Sequence, residues 1–275
     1  VIERVTGAAS RAFFMALLIA MPSMFFPDTT GDATALVVLL ALLAAVMTFF
    51  EYYTEYPSVL EFRDAAPFNR IRFGTILTVI LVLSLILHAP GQSSDMAQIV
   101  TALARIGGDL ADFPYSPVRL ALLTLPVDMP ASVVENVRMA AAVAYVISGL
   151  AVLIFFALVH LSNWPMGNGA FNVWVNLPMF DPTKGDVLTR LNRDARINVM
   201  LGFILPFLLP AVIKGTSGWI DPKALMGPQT MIWSMTIWAC LPATLMMRGI
   251  ALGRIAGMIG EKRRRAYAEA KVHTV

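Results

Sequence analysis

Six runs of mostly apolar residues dominate this chain, and each is long enough, or nearly so, to cross a hydrocarbon core of about 30 Å as a helix. They occupy approximately residues 10–26, 33–50, 73–89, 139–161, 199–213 and 231–252. Lipid offers backbone N–H and C=O groups no partner and a helix supplies its own, so the runs predict an all-α, polytopic transmembrane helical bundle of about six spans. Composition argues against a water-soluble globule, since 57% of the 275 residues are hydrophobic and only 14% are charged. An ordinary soluble domain carries about 25% charged residues. Most connecting segments are short, so residues 1–275 read as one integral membrane domain.

The first run follows Arg4 and Arg11 much as the core of a signal peptide follows its basic start. No small-x-small cleavage motif succeeds Phe26, so a retained span is expected. Lysine and arginine collect on the cytoplasmic side of membrane spans. With the N-terminus inside, sixteen of the 21 fall on inner segments, the exceptions being Arg105, Arg119, Arg138, Lys214 and Lys223. Both termini are therefore expected in the cytoplasm. Phe49, Phe50, Tyr52, Tyr53 and Tyr56 at the inner end of the second span, with Trp164 after the fourth, form an interfacial aromatic belt of the usual kind. Alanine is abundant and arginine outnumbers lysine, a habit of GC-rich bacterial genomes, so a bacterial inner membrane is the expected location.

Two loops are longer than the rest. In the outer one, Ile99, Leu103, Ile106 and Leu110 recur at helical spacing and predict a short helix along the membrane surface, after which Pro114, Pro117, Pro126 and Pro130 forbid a continuous helix. The inner loop, 162–198, is apolar and aromatic but broken by Gly and Pro. Its Trp164, Phe171, Trp174 and Phe180 suit a segment that dips into the interface or meets a partner subunit. Thr183 and Asp186 have the spacing of a helix N-cap and its acidic N3 residue, predicting a helix that feeds into the fifth span. Arg63-Asp64-Ala65 before the third span is echoed by Arg193-Asp194-Ala195 before the fifth, and Gly74-Thr75-Ile76-Leu77 by Gly202-Phe203-Ile204-Leu205, which raises a duplicated hairpin.

Chemistry is hard to find. Ionisable groups within spans are costly and are kept for a task, and here the deepest is Arg248, whose long stem can reach the headgroups by snorkelling. His88 and His160 fall at opposite ends of their helices and cannot share a haem, while His273 lies in the polar tail. No His-Glu-x-x-His, Cys-x-x-Cys or Gly-x-Ser-x-Gly motif occurs, and the lone Cys240 has no intrachain partner. No catalytic residue, cofactor, metal or nucleic-acid partner is therefore expected.

Three features bear on mechanism. Pro206 and Pro210 kink the fifth span, and broken helices can build substrate sites, although prolines also serve packing. Gly249, Gly253 and Gly257 repeat every four residues and cut a groove that lets another helix, of this chain or another, approach closely. Lys262, Arg263, Arg264 and Arg265 form a juxtamembrane cluster suited to anionic lipid headgroups, at about 1 kcal/mol per charge. Charge-poor spans, the glycine groove and the aromatic loop favour a non-catalytic subunit or assembly protein that partners other membrane subunits. A transporter, channel or flippase for a neutral or lipidic substrate comes second. An interfacial lipid-modifying enzyme using Asp181, Asp186 or Arg190 comes third.

Overall fold

A computed structural model describes residues 2–26, 31–55, 59–63, 65–88, 95–162, 164, 186–215 and 227–273. The architecture is all-helical, with α1 Ile2–Phe25, α2 Gly31–Tyr53, α3 Phe68–His88, α4 Asp95–Ala111, α5 Pro117–Leu122, α6 Ala131–Leu161, α7 Val187–Gly215 and α8 Pro228–His273. Six of these helices, all but α4 and α5, are long and apolar enough to span a membrane. The chain is a multi-pass helical membrane bundle. Six helices match the six apolar runs, but most extend past them. α6 begins at Ala131 rather than near 139, α7 at Val187 rather than near 199, and α8 runs for 46 residues, about 69 Å at 1.5 Å per residue. Hydropathy reports where a helix is dry, and its hydrogen-bond ladder is free to continue into water.

The centre of the bundle is α6 and α8, with α3 beside them and α7 laid along α8. α1 and α2 form a lateral hairpin in which α2 packs mainly on α1 and presents Leu36, Leu39, Leu43 and Phe50 outward, as lipid-facing residues would be. The buried side chains gather in two main clusters stacked along the helices. One holds Val79, Leu83, Val137, Ala140, Ala144, Ile232 and Trp238, and the other Phe62, Phe68, Phe155, Trp164, Leu191, Met247 and Ile255.

The short helix expected between the third and fourth spans is α4, and its wheel has three sectors. Ala97, Ala104 and Gly108 are buried, where small side chains let the helix sit against α3 and α6. Ile99, Leu103, Ile106 and Leu110 are exposed together with Met96. On the polar side, Arg105 pairs with Glu135 of α6 at 3.3 Å, and Arg138 lies 3.9 Å from Asp109 and 3.1 Å from Asp112. The Pro-rich return holds α5, whose Pro117 opens the first turn and whose Ser116 hydroxyl accepts from the Arg119 N–H at 2.9 Å, an ordinary N-cap.

Candidate functional site: the basic end of the bundle

The residues singled out for function lie along one seam and at one end of the bundle. The seam is the antiparallel pair α7 and α8. Its register runs from Trp238, whose Nε1 donates to the Pro206 carbonyl at 3.1 Å, through Gly202 against Pro242 and Met246 and Gly249 against Ala195 and Val199, to Gly260 against Leu188 and Arg263 on Asp186 at 2.7 Å. Pro210 has no N–H to give the Pro206 carbonyl four residues back, so the kink leaves an acceptor. The indole of Trp238 takes it up. Pro206 and Pro210 are both buried within the bundle.

The three glycines of the groove are not equivalent. A Cβ on Gly249 would lie 2.7 Å from the Ala195 carbonyl oxygen and 2.9 Å from the Val199 nitrogen, backbone atoms that cannot step aside. A Cβ on Gly253 would meet only Ala195 Cβ at 3.8 Å, an ordinary contact, and one on Gly257 would meet nothing within 4 Å. The helix approached is α7 of this chain. Gly202, on the facing helix, is as tight as Gly249, with a Cβ position 2.6 Å from the Pro242 carbonyl oxygen and 2.9 Å from the Met246 nitrogen. The echoing Gly74 meets nothing within 4 Å, so the two glycines of the suspected duplication stand in unlike surroundings, and Asp64 of that motif lies outside the described residues.

At the basic end, Arg248 does not snorkel. Its Nε and Nη2 donate to Glu61 Oε2 and Oε1 at 2.6 and 2.8 Å, a bidentate pair in which each side chain is about 30% exposed. An uncompensated guanidinium at the edge of lipid is costly, and a carboxylate at the turn between α2 and α3 is a nearer solution than a headgroup. That turn is itself built by charge. The buried Glu51 carboxylate accepts from the N–H groups of Val59 and Leu60 at 3.1–3.2 Å, and Arg63 donates to the carbonyls of Glu51, Thr54 and Glu55, closing the C-terminus of α2. Phe62, at φ 56°, is held left-handed with its ring fully buried.

The Phe62 ring packs on Phe68 and Trp164, and both Phe68 and Trp164 pack on Phe155, with centroids 4.9–6.2 Å apart. Trp164 is only 4% exposed, and its Nε1 donates to the Ala66 carbonyl at 2.9 Å while its own carbonyl accepts from Arg254 at 3.3 Å. It thus belongs to the interior of this chain and offers no surface to a partner. Phe171, Trp174, Phe180 and Thr183 lie outside the described residues. α7 begins at Val187 with Asp186 just before it, and the Asp186 carboxylate accepts from the N–H groups of Leu188 and Thr189. Asp186 is therefore the cap rather than the third residue of the helix. The Arg263 guanidinium, and then those N–H groups, hold its carboxyl below the usual carboxylate range.

Arg263 is the one member of the basic run with an ion pair among the described residues, and Lys262, Arg264 and Arg265 are exposed. His88 sits against Phe25 and Phe26 at the α4 end, whereas His160 stacks on Phe156 at the end of α6, and no metal-ligating cluster occurs among the described residues. Comparison with protein-family models, curated proteins and solved structures finds no match to this chain.

Proposed function

We propose that this protein is a non-catalytic subunit or assembly scaffold of a bacterial inner-membrane complex, with its basic end in the cytoplasm. The observation that carries the proposal is the far part of α8, where every residue from 261 to 270 is exposed. Although Arg263 pairs with Asp186, this stretch of helix buries no side chain and gains little from propensity alone, which supports a use for it outside the chain. Lys262, Arg264 and Arg265 equip it to hold an acidic partner surface or anionic headgroups. The sixteen basic residues on one set of segments support the orientation. Glu51, Glu61, Arg63 and Arg248 are engaged in building the turn between α2 and α3, which leaves that charged group little to offer as an acid or base.

Transport through a kinked α7 finds less support, because Trp238 already occupies the carbonyl freed by Pro210. The test is the mass and subunit composition of the tagged protein, extracted gently at native expression, alongside a variant ending at Gly260. A stoichiometric partner that is lost from the shortened variant is expected. A lone monomer or homo-oligomer would overturn the proposal and make transport of a neutral or lipidic substrate the leading function.

A further inference from the structure

Between the first turns of α1 and the last turn of α2 lies an open cleft of about 400 Å³, lined by Glu3, Arg4, Arg11, Tyr52, Glu55 and Arg63. Arg63 is used up on the carbonyls that end α2. The Arg11 guanidinium lies 4.6 Å from the centre of the Tyr52 ring and gives one N–H to the Gly7 carbonyl at 2.7 Å, which fixes it at the cleft wall with further N–H groups to offer. The side chains of Glu3, Arg4 and Glu55 have no hydrogen-bond or ion-pair partner among the described residues. What remains to bond a ligand is two cations and two anions in one cleft, while the Arg63 guanidinium, hydrogen-bonded to carbonyls, adds one further positive charge to its wall.

We infer that this cleft binds the headgroup of a zwitterionic aminophospholipid, its phosphate on Arg4 and Arg11 and its primary ammonium on Glu3 and Glu55. The presence of both signs among these groups selects the class. A lipid with phosphate alone would satisfy the arginines but meet two carboxylates, and a quaternary ammonium has no N–H to donate to them. The place selects a lipid over a free solute. The cleft opens where α1 and α2 enter their apolar stretches, and Phe13, Phe14 and Phe50 stand exposed just beyond it, where acyl chains would run. Arginine suits the phosphate because its planar fork can engage two oxygens at once.

The test uses the delipidated full chain in detergent, titrated with phosphatidylethanolamine, phosphatidylcholine and phosphatidylglycerol of identical acyl chains, with bound lipid counted by native mass spectrometry. Phosphatidylethanolamine is expected to bind about tenfold more tightly than either competitor, the size of two exposed charge pairs. Replacing both arginines (Arg4→Gln, Arg11→Gln) should weaken the binding of all three lipids, because each carries the phosphate. The double change Glu3→Gln, Glu55→Gln should transfer the preference to phosphatidylglycerol, a gain that misfolding cannot imitate. Equal binding of all three lipids by the unmodified chain, or an unchanged ranking in the glutamate variant, would overturn the inference. Free phosphoethanolamine should compete only weakly, and competition at the same concentration as the lipid would overturn the lipid assignment.

Discussion

Gly249→Ala should loosen the α7–α8 seam, whereas Gly257→Ala should not. Ordinary Cβ contacts begin near 3.4 Å, and a methyl on Gly249 would sit 2.7 Å from the Ala195 carbonyl oxygen and 2.9 Å from the Val199 nitrogen. Neither backbone atom can rotate away, so the helices must separate by about 0.5–0.7 Å. A gap of that size forfeits roughly a quarter of each 0.1–0.2 kcal/mol contact along the seam, and over a few tens of contacts the loss is about 1–2 kcal/mol. Overpacking data give the same range, about 1–3 kcal/mol. The helix-propensity gain of alanine over glycine, about 1 kcal/mol in a helix interior, works against it, leaving Gly249→Ala neutral to about 2 kcal/mol destabilised. Gly257→Ala keeps that gain without the clash and should be up to about 1 kcal/mol more stable. Gly249→Val adds β-branching in the same space and should cost more than Gly249→Ala. Reversible denaturant unfolding in mixed micelles, followed by tryptophan fluorescence, measures all three. If Gly249→Val and Gly257→Val had the same stability, the register of the seam would be wrong.

Further outcomes follow from single contacts. Trp238→Phe leaves the Pro206 carbonyl unpaired in a dry seam and should cost about 1–3 kcal/mol, read in the same unfolding assay. Ser84 is fully buried with no hydrogen-bond partner for its hydroxyl among the described residues, so Ser84→Ala should be neutral or stabilising by about 1 kcal/mol, and clear destabilisation would mean that the hydroxyl is bonded. Glu61→Gln and Arg248→Met should each cost about 1–3 kcal/mol, less than a fully buried pair because solvent reaches both groups, and a double-mutant cycle should return a coupling of about 1 kcal/mol. The Asp186 carboxyl titrates below its unfolded value, so its pairing with Arg263 is intact above the usual carboxylate range and is lost only as pH falls through the lowered value. Arg263→Gln should move that titration upward, as followed by the carboxyl ¹³C shift of Asp186.

The spans were legible because hydropathy is a property of composition, and composition is what lipid selects. Their ends were less so. In α7 the segment before Val199 is polar in sum, yet Leu191, Ala195 and Asn198 form a buried stripe, and its meaning depends on α8 continuing past Arg248 to meet it. The glycine repeat marked the right face of α8, but a period of four cannot say which glycine is approached, since that is decided by Ala195 and Val199, about fifty residues away. Gly202 had no repeat to announce it. Glu61 and Arg248 stand 187 residues apart and were visible only as two opposite charges bordering charge-poor spans, a cost that calls for compensation. Trp164 carried the signals of an interface residue and of a core residue alike, and the 2.9 Å bond to Ala66 decided for the core. A common cause runs through these cases. Lipid tails are as apolar as leucine, so in a membrane chain the pattern of large apolar residues does not separate the faces that meet lipid from those that meet protein. The separating information sits in the small and the polar residues. That is why the architecture of this chain can be read from its leucines, while its internal contacts depend on Gly202, Gly249, Glu51, Glu61, Trp164 and Trp238.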